Sequence, residues 1–278
     1  MPMENSHALK KSSNNMKFAS LALLLFIFPL LISAQDTAGK YFTSFDGAKI
    51  YYEVKGSGKP VLLVHGYLNS GENWKGGVLY GELQKQGFQV ITVDMRGNGK
   101  SDKPHNFEAY ANDAEAKDIM GLLKEIGIKK YDVLGYSRGA IITARLLVLD
   151  KRIDKAVLGG MGLDFTNPEW PRRIMFYRAM MGDSIPEAQG AVKYVQSAGL
   201  DQLAQAYLQK EQPSTSKEEL GKLKNKVLII CGTEDSDNGS ASELAAAIPN
   251  STFVSVPGNH GGAARTKEFA EAVVKFLR

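Results

Sequence analysis

Six short apolar runs punctuate the chain: Val61-Leu62-Leu63-Val64, Phe88-Gln89-Val90-Ile91-Thr92-Val93, Tyr131-Asp132-Val133-Leu134, Ala156-Val157-Leu158, Val227 to Cys231, and Thr252-Phe253-Val254-Ser255-Val256. Runs that are apolar on both faces suit central strands of a parallel sheet covered by helices. Between them lie helical patterns. The clearest places Ile119, Leu122, Leu123 and Ile126 at i, i+3, i+4 and i+7, with Gly127 as the C-terminal stop. Strand alternating with helix predicts an α/β fold with right-handed crossovers. Ahead of the first run, Lys49 to Val54 alternates weakly and precedes Gly56-Ser57-Gly58, which predicts an edge hairpin.

The alternation pauses between Leu158 and Val227. Residues Asn167 to Lys224 carry amphipathic helical stretches with Trp170, Phe176, Tyr177, Tyr194 and Tyr207 but no convincing strand. Structureless loops of that length are rare, so a helical cap over about residues 162–224 is expected. It follows a strand at the carboxyl ends of the sheet, where ligands bind in open α/β folds, and so is expected to roof the site. The five aromatic residues predict an apolar pocket for small or medium acyl groups.

At the N-terminus, Lys10, Lys11 and Lys17 lead into an apolar run from Leu21 to Ile32 that ends in Ser33-Ala34-Gln35. This layout predicts a signal peptide over residues 1–34, cleaved after Ala34, and a secreted or periplasmic protein of residues 35–278. The alternative is an uncleaved anchor, but the run is short of the ~20 residues a span needs and contains Pro29. Met16 is an alternative start. Of the formal charge of +4, those three lysines against Glu4 contribute +2. The rest of the chain shows no basic run of the kind that binds nucleic acid. Cys231 is the single cysteine, so no disulfide can form within the chain; its apolar neighbours predict a buried small side chain rather than a reactive thiol.

The chemistry-bearing motif is Gly135-Tyr136-Ser137-Arg138-Gly139, which follows a strand directly and opens the helical pattern Ala140 to Leu147. This is G-x-S-x-G in a strand-turn-helix setting: the turn lifts the serine hydroxyl clear of the sheet, and flanking side chains would collide with the neighbouring strand and helix. A Gly-rich turn with a capping serine is the bland reading, and the setting favours a nucleophile. An acyl-transfer site also needs two N–H donors for the oxyanion. His65-Gly66-Tyr67 ends an earlier strand, so the expected pair is the N–H of Tyr67 and that of Arg138. His65 itself is expected to hold this loop by hydrogen bonds.

The four histidines are His7, His65, His105 and His260. Only His260 follows a late strand, as the order serine, acid, histidine requires, and it is the expected base. Asp235, after the strand Val227 to Cys231, is the expected acid; Asp164 is the runner-up, and Glu234 and Asp237 read as solvated loop charges. No metal-ligand spacing and no phosphate-binding Gly loop followed by lysine occurs, so neither metal nor organic cofactor is expected.

Five motifs stand in one order: His65-Gly66, Asp94 to Asp102, the turn at Ser137, Gly232-Thr233-Glu234-Asp235 and Pro257-Gly258-Asn259-His260. In that order they resemble the α/β-hydrolase superfamily, within it the broad group of esterases, proline iminopeptidase-like enzymes and carbon–carbon bond hydrolases. The resemblance implies a mostly parallel sheet flanked by helices with a small helical cap. It also implies hydrolysis of a small-molecule ester or related acyl substrate through Ser137, His260 and Asp235. Peptide or carbon–carbon bond cleavage, and a ligand-binding module with little turnover, are the alternatives. Relatives with dehalogenase or epoxide hydrolase activity use Asp where this chain has Ser137. The Asp94 to Asp102 stretch is, by the same resemblance, a structural turn.

Overall fold

In the computed structural model, which describes residues 39–278, alternate positions of each central strand feed two separate cores. The strands are β1 (Lys40–Thr43), β2 (Lys49–Lys55), β3 (Pro60–Val64), β4 (Gln89–Val93), β5 (Tyr131–Tyr136), β6 (Ile153–Gly159), β7 (Lys226–Gly232) and β8 (Ser251–Val256). They form one sheet in the order β1-β2-β4-β3-β5-β6-β7-β8. Pairing is antiparallel for β1 with β2 and β2 with β4, and parallel from β4 through β8. All six apolar runs are therefore strands of the parallel portion, but the sixth, β8, is its exposed edge rather than a central strand, with Phe253 43% exposed.

On β3, Leu62 and Val64 face one side, where they join Ile119 and Leu122 of α2 (Ala114–Glu125), Ile141 and Ile142 of α3 (Arg138–Leu149) and Leu244 of α8 (Ala241–Ala246). Val61 and Leu63 face the other, against Leu79 and Leu83 of α1 (Val78–Lys85) and Phe269, Val273 and Leu277 of α9 (Lys267–Leu277). Helices on both faces are what a strand with no polar side requires. Gly127 adopts φ 78°, the left-handed stop expected after α2.

The edge hairpin needs correction. β2 pairs with β1 upstream, Tyr41 opposite Tyr51, and with β4 on its other side, Tyr52 opposite Val93. It is an inner strand, and β1 is the edge. The turn at Gly56-Ser57-Gly58 leads into β3, which joins the sheet two places away.

Between β6 and β7 the chain forms α4 (Pro171–Met180), α5 (Gln189–Ser197), α6 (Gln202–Lys210) and α7 (Lys217–Gly221), with no strand, as the pause in alternation predicts. The expected signal at residues 1–34 lies outside the described residues. Among the described residues, no helix is long and apolar enough to cross a membrane.

Candidate active site

Ser137 sits between β5 and α3 at φ 56° and ψ −125°, a conformation that costs a side-chain-bearing residue free energy. The glycines beside it are sterically required. A Cβ at Gly135 would overlap the carbonyl of Gly139, and one at Gly139 would overlap the carbonyl oxygen of Val64. The Ser137 N–H donates to Gly159 O at 2.8 Å, which fixes the turn to β6.

Three residues predicted from sequence meet here. His260 Nε2 lies 2.9 Å from Ser137 Oγ, and His260 Nδ1 lies 2.9 Å from Asp235 Oδ2. The Asp235 side chain is 1% exposed. Its burial would raise the carboxyl's pKa, but the hydrogen bond and charge of His260 outweigh it and hold the group below its ordinary value. The acid and histidine loops are tied by backbone bonds: Thr233 N–H to Val256 O at 2.8 Å and Glu234 N–H to Gly258 O at 3.0 Å. Asp164 is exposed on a short 3-10 turn beside Gly239, Glu234 is exposed, and Asp237 is half-exposed, 3.6 Å from Arg172. None of the three bonds His260.

The loop carrying Tyr67 runs against Ser137, since a Cβ at Gly66 would come within 3.2 Å of Ser137 Cβ. Arg138 is the first residue of α3, where a helix leaves its N–H groups without intrahelical acceptors. His65 is fully enclosed: Nδ1 donates to Gly66 O at 2.8 Å and Nε2 accepts the Met95 N–H at 3.0 Å. Burial pushes its pKa down, so the ring is a neutral brace between the β3 and β4 loops.

The Asp94 to Asp102 stretch is likewise a brace. Asp94 accepts the N–H groups of Gly71 and Lys100, each at 2.7 Å, and buried Arg96 pairs with Asp118 at 2.6 Å and Asp46 at 2.8 Å. Burial pushes the Cys231 thiol up to about 12, in keeping with an inert thiol. His105 is exposed and bonds Asp201 at 2.7 Å.

Two residues of the site carry no sequence signal of their role. Tyr136 donates its hydroxyl to His260 O at 2.8 Å and places its ring 5.4 Å from the imidazole, so it anchors the histidine loop. Asn238 is buried, donates to Gly160 O at 3.0 Å and sets its amide nitrogen 3.5 Å from His260 Nδ1.

Two cavities open on Ser137 and His260, and Tyr67 lines both. One, of about 200 Å³, runs past Asn69, Trp74 and Arg265. The other, of about 170 Å³, lies beneath Trp170 and Phe176 and is also lined by Arg172, Arg173 and Gln209. The expected five-aromatic pocket is thus reduced to two rings and joined by two guanidinium groups. Tyr207 packs against Phe107 and Tyr110, Tyr177 joins the cluster of Met180, Val195 and Ala206, and Tyr194 is 51% exposed.

Relatives share parts of this chain. A non-heme haloperoxidase of Rhodococcus erythropolis is 33% identical over 125 residues, 43% of each chain, and epoxide hydrolase 3 of Siraitia grosvenorii is 35% identical over 97 residues, 35% of this chain and 30% of that one. The chain thus spans less than half the length of the curated relatives it matches. A bromoperoxidase structure from Bacillus anthracis superposes with a TM-score of 0.67 at 26% identity, covering 86% of this chain and 99% of its own. Residues 59–198, half of the chain, match the family model described as alpha/beta hydrolase fold, and with the sheet order and the turn at Ser137 this shows that the chain belongs to the α/β-hydrolase family.

Proposed function

We propose that the protein is a serine hydrolase that cleaves a small ester or related acyl compound through an acyl-enzyme. The observation that carries this reading is the continuous chain Asp235–His260–Ser137, with both contacts at 2.9 Å. His260 takes the proton of Ser137 as Oγ attacks the carbonyl. Asp235 holds the tautomer in which Nδ1 carries the proton and Nε2 is free to accept, and it stabilises the imidazolium that forms. The N–H groups of Tyr67 and Arg138 receive the oxyanion. The imidazolium protonates the leaving group, and the same histidine then activates the water that releases the acid.

The two cavities flanking Ser137 accommodate the acyl and leaving portions, and their volumes of about 200 and 170 Å³ favour small substrates. Epoxide hydrolase 3 is so named for its own activity; the serine at the turn of this chain supports acyl transfer instead.

A fluorophosphonate probe, combined with p-nitrophenyl acetate and butyrate, tests the proposal. The protein labels at Ser137 and turns over both esters, whereas Ser137→Ala folds with an unchanged melting temperature and loses labelling and turnover. Labelling that persists in Ser137→Ala refutes the nucleophile, and an unlabelled wild-type protein favours a binding module. Export with cleavage after Ala34 is part of the same proposal. Mass spectrometry of exported protein then finds a chain beginning near Gln35, and an intact N-terminus in the membrane fraction refutes cleavage.

A further inference from the structure

The side chains of Tyr67 and Arg138 have no part in the chemistry above, which uses only their N–H groups, yet both reach away from Ser137 to the same helix of the cap. Arg138 Nη2 donates to Leu208 O of α6 at 2.9 Å, and Tyr67 Oη donates to Gln205 O of α6 at 3.1 Å. The guanidinium is held from its other side by Glu115 of α2, with Nη1 to Oε1 at 2.7 Å and Nη2 to Oε2 at 2.5 Å. Gln205 donates to Gly97 O at 2.9 Å and Asn98 Oδ1 at 3.1 Å, which fixes α6 to the loop after β4.

Stability does not explain this network. Arg138 and Glu115 are 6% and 3% exposed, and burying such a pair costs desolvation that an apolar pair of similar volume avoids. Its hydrogen bonding is also incomplete among the described residues, because Arg138 Nε and Gln205 Oε1 are buried without partners. A partly satisfied buried network is a poor stabiliser. What it does achieve is geometric: each of the two side chains fixes a residue whose N–H the serine-hydrolase reading assigns to the oxyanion, and donor placement at that point must be accurate to about half an ångström.

We propose that Glu115, Gln205 and the side chains of Tyr67 and Arg138 are positioning residues that set the oxyanion hole from the cap. The proposal rests on the serine-hydrolase reading, and Leu208 and Gln205 hold the donors through their carbonyl groups. Any displacement of α6 then moves both donors together.

The test uses Tyr67→Phe, which keeps the backbone N–H, and the double variant Glu115→Met/Arg138→Met, which replaces the ion pair by an apolar pair. Concentrations are normalised by fluorophosphonate titration of Ser137. For p-nitrophenyl acetate, kcat in each variant falls about tenfold, short of the ~10²–10³ lost with an outright oxyanion donor, while KM stays within twofold. Binding of phenylboronic acid, whose tetrahedral adduct places an oxygen in the oxyanion hole, weakens by the same factor.

A purely structural network predicts lower melting temperatures with kcat per labelled site and boronate affinity unchanged, and that result overturns the proposal. Should the double variant not fold, Tyr67→Phe alone decides. Wild-type protein that fails to label overturns the serine-hydrolase reading itself, an outcome distinct from labelled variants with unaltered kcat.

Discussion

Replacing Asp235 by Asn is isosteric, and its effect can be followed bond by bond. In the wild-type protein Oδ2 faces His260 Nδ1 at 2.9 Å, and Oδ1 faces the Asp237 N–H at 3.4 Å. An asparagine must put its NH₂ at one of these places. Next to the Asp237 N–H it would set donor against donor, so the amide turns its NH₂ to Nδ1. The Asn238 amide nitrogen, 3.5 Å from the same ring atom, adds a second donor there. Nδ1 is then an acceptor, the proton moves to Nε2, and Nε2 can no longer take the proton of Ser137. The charge that stabilises the imidazolium is lost as well. Together these predict a fall in kcat/KM of about 10³–10⁴, or about 4–5.5 kcal/mol of transition-state stabilisation. The assay is steady-state hydrolysis of p-nitrophenyl acetate alongside Asp164→Asn, Glu234→Gln and Asp237→Asn, each expected within about twofold of wild type. A loss under tenfold at Asp235→Asn, or a larger loss at Asp164→Asn, refutes the reasoning.

Two further outcomes follow from the cap and from a buried carboxylate. Trp170→Ala and Phe176→Ala shift KM for p-nitrophenyl butyrate severalfold while sparing the acetate, and Tyr194→Ala leaves both unchanged because its ring is out of the cavity; an identical profile for all three argues against substrate contact by the cap. Asp150 is 4% exposed and accepts from Tyr131 Oη at 2.9 Å and Arg152 Nη2 at 2.7 Å. Burial would raise its pKa, but the Arg152 bonds hold it below the ordinary value. Its contribution is therefore complete above the unfolded pKa near ~4 and fades as pH falls through the lower folded value. Asp150→Asn then costs about 2 kcal/mol in urea titrations at neutral pH, with the gap to wild type narrowing below pH ~4; a gap independent of pH contradicts the assignment.

How far the sequence spoke depended on whether a position's surroundings were local. The strands from β3 to β7 were legible because burial on both faces favours apolar residues, whereas β8, the exposed outer strand with Phe253 43% exposed, was legible from its β-branched and aromatic run instead. The positions of Ser137, His260 and Asp235 were legible because strand ends and glycine spacing mark each turn. Strand pairing was less so: Gly56-Ser57-Gly58 reads as a hairpin turn, but turn chemistry cannot report that β3 passes over β4 to sit beside β5. The cap aromatics failed for a similar reason, since a helical period does not say whether Phe176 or Tyr207 meets the cavity. Tyr136 and Asn238 act through contacts 124 and 22 residues away, and nothing in their own neighbourhoods announces them.

The backbone angles of Ser137 have a consequence for how this protein would respond to selection. At φ 56° and ψ −125° a residue with a Cβ is held at a cost of about 1–3 kcal/mol, while glycine sits there freely. Ser137→Gly should therefore melt higher than wild type and hydrolyse nothing. A library sorted by heat resistance alone would enrich that variant, because a strained backbone position is also the proposed nucleophile. Engineering for robustness has to be gated by turnover in every round, or the fold will improve by discarding its chemistry.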